Sequence, residues 1–226
     1  MKINSVVQRL RSSFTNSVGT IVFGMEDGTV SIFGLIFGVA ATTTNAKTVL
    51  IAGASGAAAA AVSMMAGAYL EVETTRDESD AAHSSLLASG SSGVSKRLAN
   101  AGLTSEQADA LAVAVENDPH ATAGLLLALD GTPKVPLNPV EQALWMLLAD
   151  FLAAAVPILP FVFLSVAQAR LVSGAVTVAL LIGLGVGRAR IGKRSTSRTV
   201  AETVSIGIAA AAAGVAISVL IDRLFY

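Results

Sequence analysis

The chain has 226 residues, of which 53% are hydrophobic and only 14% charged, and its mean hydropathy is +0.67. Soluble domains carry about a quarter charged residues, so the shortage of charge, more than the surplus of apolar residues, points to a membrane protein. A net charge of −1 gives no general pull on nucleic acid, and the absence of cysteine excludes disulfides and thiolate metal sites.

The N-terminus, MKINSVVQRLRSSFTNS, lacks the short apolar core and small-residue cleavage site of a signal peptide. The first membrane helix is therefore expected to serve as its own targeting signal. About 20 apolar residues cross a bilayer core as a helix. Five stretches qualify, at roughly 18–42, 48–72, 141–165, 170–188 and 201–222. Pro157 and Pro160 should bend the third. Basic residues orient the set. Lys2, Arg9 and Arg11 precede span one. Arg76, Lys96, Arg97 and Lys134 lie between spans two and three, and Arg188, Arg190, Lys193, Arg194 and Arg198 lie between spans four and five. Lys47, Arg170 and Arg223 fall on the other side. Five crossings with the N-terminus in the cytoplasm and the C-terminus outside put all three rich groups inside.

The expected fold is thus an all-α membrane protein of five transmembrane helices, with a small helical cytoplasmic segment between spans two and three. Its divisions are 1–73, 74–140 and 141–226. In the middle segment Thr74–Leu87 can extend the second helix, and Ser89-Gly-Ser-Ser-Gly93 reads as a flexible break. Val94–Ala101 is a short helix stopped by Gly102. Thr104 with Gln107 makes a capping-box pattern for a helix to about Glu116. Asp118-Pro119 starts another, ended by Gly131, and Thr132–Leu137 is a linker. Within the spans, small residues recur at helical spacing: Gly24 and Gly28, Gly34 and Gly38, Gly53 and Ala57, Gly183 and Gly187. They allow close helix contact in lipid, although glycine and alanine are also simply common in membrane helices.

Span one carries two adjacent carboxylates, Glu26 and Asp27, followed by Gly28. A carboxylate at the centre of a membrane helix costs roughly 2.5–3.5 kcal/mol on insertion scales and usually handles a cation or a proton. Counting from the outer ends of their spans at ~1.5 Å per residue puts Asp27, Met64 and Asp150 near one level. Glu71, Glu73, Asp77 and Glu78 follow just below and form a candidate cytoplasmic metal-collecting face, and Glu202 opens span five near the same surface. Each has a plainer reading. Asp27 can be a structural acid, Glu26 can turn towards the interface, Asp150 can be interfacial, Met64 and Met65 can be packing, and the four acids can be a solvated helix face. His83 and His120 read as isolated surface residues. If Asp27 and Met64 share an ion, the thioether shifts preference from magnesium or calcium towards softer metals such as ferrous iron. A carboxylate that has released its metal can carry a proton back.

Several motifs have a familiar order. Asp27-Gly28 within GMEDGTVSIFGLIFGVAA resembles the first span of the vacuolar iron transporter (VIT) family. Ser63-Met-Met-Ala-Gly-Ala-Tyr69 is similar to its second-span Ser-Met-x-x-Gly-Glu-Tyr, and Ala155-Val-Pro-Ile-Leu-Pro-Phe161 to its third-span Gly-Ala-x-Ile-Pro-Leu-Leu-Pro-Tyr. The last span, with Gly207, Ala211 and Ala212, fits more loosely. The resemblance implies a divergent member: a homodimer of five-span subunits that carries ferrous iron, often also manganese, out of the cytosol in exchange for protons, with no tightly bound cofactor. It maps the family's first-span aspartate onto Asp27 and its second-span methionine onto Met64. The family's second-span glutamate falls on Ala68, and no carboxylate occurs from Ala81 to Thr104, where the family's cytoplasmic domain places metal-binding glutamates.

The leading expectation is therefore a metal-ion transporter, and its partners are metal ions, lipid and a second copy. The alternative is a non-transporting structural or regulatory membrane protein with the same fold. No HExxH, nucleophile elbow or paired-aspartate motif supports an enzyme. A compact, alanine-rich chain leans towards a prokaryotic cell membrane, or the vacuolar membrane if the source is eukaryotic.

Overall fold

The structure is a computed structural model and describes residues 2–116, 118, 121–122, 125 and 138–225. The expected linker Thr132–Leu137, with Lys134, lies outside the described residues, as do His120 and the side chain of His83. The helices are α1 (Lys2–Asn16), α2 (Val18–Thr42), α3 (Ala46–Asn100), α4 (Ser105–Val115), α5 (Pro139–Ile158), α6 (Pro160–Phe163), α7 (Val166–Ile191) and α8 (Thr196–Phe225). Among the described residues there is no strand. Five helices are long and apolar enough to cross a membrane: α2, Ala46–Glu78 of α3, α5, α7 and α8. The chain divides into two compact units, Met1–Tyr69 with Pro139–Tyr226, and Leu70–Asn138.

The first unit is built around α2, and close backbone contacts fix the direction of every neighbour. Gly24 sits against Met146 and Ala149, and Gly28 against Asp150, so residue numbers rise together and α5 runs parallel to α2. Gly34 meets Ala210 and Gly38 meets Gly214, so α8 is parallel as well. Gly174 of α7 faces Phe37, while Arg188 of α7 reaches Glu26, which makes α7 antiparallel. Gly53 of α3 meets Ile36 and Gly56 meets Leu35 and Ile32, again antiparallel. Spans one, three and five thus run one way and spans two and four the other, as alternate crossings require.

Large apolar side chains face outwards as well as inwards, and several small polar ones are buried. Phe163 is 80% exposed and Leu171 78%, whereas Thr29, Ser173, Thr177 and Thr203 are at 0%. Apolar side chains facing outwards suit lipid, where small and polar side chains gain by facing neighbouring helices. Thr29 Oγ1 donates to the Met25 carbonyl at 2.7 Å, satisfying its hydroxyl within its own helix.

The two prolines of span three do more than bend it. Pro160 has no N–H to continue the ladder, so α5 stops at Ile158 and α6 restarts with Pro160 as its first residue. The buried Ser173 hydroxyl of α7 donates to the Pro157 carbonyl at 2.7 Å, closing a backbone acceptor at the break. Of the expected small-residue contacts, those at Gly24, Gly28, Gly34, Gly38 and Gly53 are present. Those at Gly183 and Gly187 are not: both positions face open space, and it is Gly185 that lies against Val200 of α8.

In the second unit, α3 continues unbroken through Ser89–Gly93, so the expected flexible break is absent. Two glycines cost a helix about 1 kcal/mol each. Burial of Val94 and Leu98 just beyond them, against Ala108 and Ala112 of α4, offsets that cost. The helix ends at Asn100, and Gly102 takes a φ of +102° that favours glycine. The Thr104–Gln107 capping box forms in both directions and starts α4. Asp118 caps the turn after it, accepting from the Ala121 N–H at 3.1 Å. The rest of that expected helix, to Gly131, falls largely outside the described residues.

Candidate metal-ion site

Successive residues of a helix point about 100° apart, so Glu26, Asp27 and Gly28 address three different surroundings. Glu26 turns to α7 and α8. Its carboxylate accepts from Arg188 at 3.0 and 3.4 Å and from Thr203 Oγ1 at 3.1 Å. The Glu26 side chain is only 12% exposed, so its charge is largely answered inside the bundle rather than at an interface. Glu202 is likewise met by Arg198 at 3.1 Å and Arg194 at 3.8 Å, and it adds no free acid to the path expected from the sequence.

Asp27 is half-buried and lines a cavity of about 470 Å³ together with Glu26, Arg188 and Arg194. Among the described residues its carboxylate has no hydrogen bond or ion pair. Glu26 is paired with Arg188, so Asp27 is the acid of this cavity that has no partner of its own among the described residues.

Gly28 faces α5. A methyl group there would lie 2.9 Å from Asp150 Oδ1 and 3.0 Å from the Asp150 carbonyl carbon. Asp150 is 0% exposed, neither carboxyl oxygen has a hydrogen-bond partner, and it lies within electrostatic reach of Asp27. Asp150 is thus enclosed by neighbouring helices. A buried carboxyl without a partner is costly, and this one lies one residue along from the level of Asp27 on the parallel span.

Met64 is half-buried on the bundle-facing side of α3, in line with Ala57, Ala61 and Ala68. The contacts at Gly53 and Gly56 extrapolate to the level of Met25, within a turn of Asp27. Direction separates them: Asp27 leaves α2 roughly 135° around from the line that faces α3. The level expected for Asp27, Met64 and Asp150 is thus reproduced, but Asp27 and Met64 leave α2 and α3 on different sides of the seam.

Two residues escaped the sequence reading. One is Arg188, the partner of Glu26. The other is Met146, 4% exposed, whose Sδ would lie 2.7 Å from a methyl group at Gly24. A spacing signal existed: Gly24 and Gly28 on span one match Met146 and Asp150 on span three, four residues apart in each case.

In the second unit, Glu71, Asp77 and Glu78 are exposed and Glu73 is half-exposed. At 3.6 residues per turn, Glu71 and Glu78 share one face, and Glu73 and Asp77 lie on nearly the opposite one. Among the described residues, no three histidine, aspartate or glutamate side chains converge as a metal site.

Comparison with known proteins gives this arrangement its context. The model of the VIT family matches residues 18–219, covering all five spans. The chain is 26% identical over 206 residues to vacuolar iron transporter 1 of Oryza sativa subsp. japonica, covering 87% of this chain and 82% of that protein. It is 25% identical over 216 residues to vacuolar iron transporter 1 of Arabidopsis thaliana, covering 91% and 86%. The vacuolar iron transporter of Centaurea cyanus is 25% identical over 211 residues, covering 87% and 84%. On a match of this extent, the chain belongs to the VIT family.

Proposed function

We propose that the protein carries ferrous iron, and manganese as a second cargo, out of the cytosol in exchange for protons. The observation that carries this reading is Asp27: an unpaired carboxylate halfway along a membrane helix, opening on a cavity whose other acid is neutralised. An acid so placed attracts a cation that has shed part of its water, and the pairing of Glu26 with Arg188 leaves the attraction focused on one residue. Met64 supplies a thioether at the same level, which favours a softer dication over magnesium or calcium. Because Asp27 and Met64 lie on different sides of the α2–α3 seam, the cargo meets them in turn. Release of the metal leaves a carboxylate able to carry a proton the other way.

The subunit works as a homodimer in this reading. The N-terminus, the α7–α8 loop and the 74–140 segment are cytoplasmic, which puts all the basic residues but Lys47, Arg170 and Arg223 on one side. Glu71, Glu73, Asp77 and Glu78 then collect cations from both faces of one helix rather than as a single chelate.

A second reading, a structural or regulatory membrane protein with the same fold, is favoured by Ala68. It is 4% exposed, and it puts a methyl group where the family has a carboxylate. Growth separates the two. Iron tolerance conferred on an iron-sensitive host, and lost in Asp27→Ala at equal membrane abundance, supports transport. No tolerance from a well-inserted wild-type protein supports the second reading.

A further inference from the structure

We propose that Asp150 and the Met146 thioether form a cation site on the seam between α2 and α5, taking a borderline-soft transition-metal dication. The inference rests on the transport reading for its cargo, but its geometry is independent of it. Met146 and Asp150 lie one turn apart on the same face of α5, and both press on bare glycine backbone of α2 at Gly24 and Gly28. Asp150 is wholly buried with both oxygens unpartnered, and Met146 is 4% exposed. A carboxyl in that position is stable either protonated or beside a counter-charge, and no Lys, Arg or His is paired with it among the described residues, which leaves a bound cation to hold its ionised form.

The third helix at the seam supplies no competing acid. Ala57 of α3 packs in the same core cluster as Ala154 of α5, and Gly53 sits against Ile158, which sets those helices antiparallel. That register brings Ala61 to the level of Asp150, and Met64 and Met65 to the level of Met146. Ala68, a further turn along, is buried and carries no carboxylate. One carboxylate with neighbouring thioethers favours ferrous iron and softer dications over magnesium and manganese, because each sulfur is a poor ligand for a hard ion.

The test is calorimetry on the purified full-length protein with Cd²⁺ as the soft probe and Mn²⁺ as the hard one. Asp150→Asn should weaken binding of both by at least about tenfold, a loss seen even for groups one shell further from a metal. Met146→Leu, which keeps volume and removes sulfur, should weaken Cd²⁺ selectively and leave Mn²⁺ nearly unchanged. Wild-type affinity for both ions in Asp150→Asn overturns the site, and unchanged Cd²⁺ affinity in Met146→Leu overturns the role of the thioether. If Asp150→Asn does not fold, X-ray absorption of Cd²⁺ bound to the wild type decides: a sulfur neighbour that disappears in Met146→Leu supports the site, and its absence in the wild type refutes it. Binding and flux fail separately. Metal binding dependent on Asp150, without flux, sinks only the transport reading. Flux lost in Asp27→Asn, with Asp150→Asn binding normally, sinks only this site.

Discussion

Replacing Gly28 by alanine tests the close packing of α2 against Asp150 of α5. The added methyl would stand 2.9 Å from Asp150 Oδ1 and 3.0 Å from the Asp150 carbonyl carbon, and it also meets the carbonyl oxygen. Comfortable carbon contacts lie at ~3.5–4.0 Å, so α2 and α5 must part by roughly 1 Å. Two of the three atoms are backbone and cannot rotate away. Overpacking of this kind costs about 1–3 kcal/mol. The control is Gly183→Ala, in the middle of α7 with nothing within 4 Å of the new methyl. There alanine should stabilise by up to ~1 kcal/mol through helix propensity. The two variants share that propensity gain, so their difference isolates packing, at about 1–3 kcal/mol. Reversible unfolding in mixed detergent micelles measures it. If Gly28→Ala unfolds with the same free energy as Gly183→Ala, the α2–α5 contact at Asp150 is not as close as described.

Arg188→Gln should destabilise by about 1–2 kcal/mol, less than a fully buried pair would, because the Arg188 side chain is 41% exposed. The double variant with Glu26→Gln should recover part of that loss in the same unfolding assay, and strict additivity would argue against the pair. Leu98→Ala, at 2% exposure in the second unit, should cost about 2–4 kcal/mol. Hydrogen exchange across Ser105–Val115 reads it out. Thr104→Ala removes the capping box of α4 and should raise exchange at the first turn by an amount worth about 1 kcal/mol. Ser173→Ala strands the Pro157 carbonyl and should cost about 1–3 kcal/mol.

Length and hydropathy made the spans legible. The first, expected at 18–42, is Val18–Thr42, because a run of apolar residues bounded by polar ones leaves little choice of register in a bilayer. The parallel and antiparallel order followed from counting crossings. The break expected at Ser89–Gly93 was misread because local propensity was weighed without the tertiary burial of Val94 and Leu98 next to it. Depth along a helix was also legible, which is why Asp27 and Asp150 were placed near one level. Direction around a helix was not. Whether Glu26 meets Arg188, or Asp27 meets Met64, depends on which neighbour covers which face, and composition carries no such information. The paired spacing of Gly24 and Gly28 with Met146 and Asp150 held part of it, but two matching intervals on distant segments become meaningful only once the helices are known to touch.

Transport itself is read by ferrous-ion flux into sealed proteoliposomes, followed with a trapped metal-sensitive dye under a proton gradient. Wild-type protein should fill the vesicles, Asp27→Asn should reduce flux to the protein-free rate, and Asp222→Asn, on the exposed end of α8, should behave as wild type. Flux that survives Asp27→Asn unchanged would contradict the account.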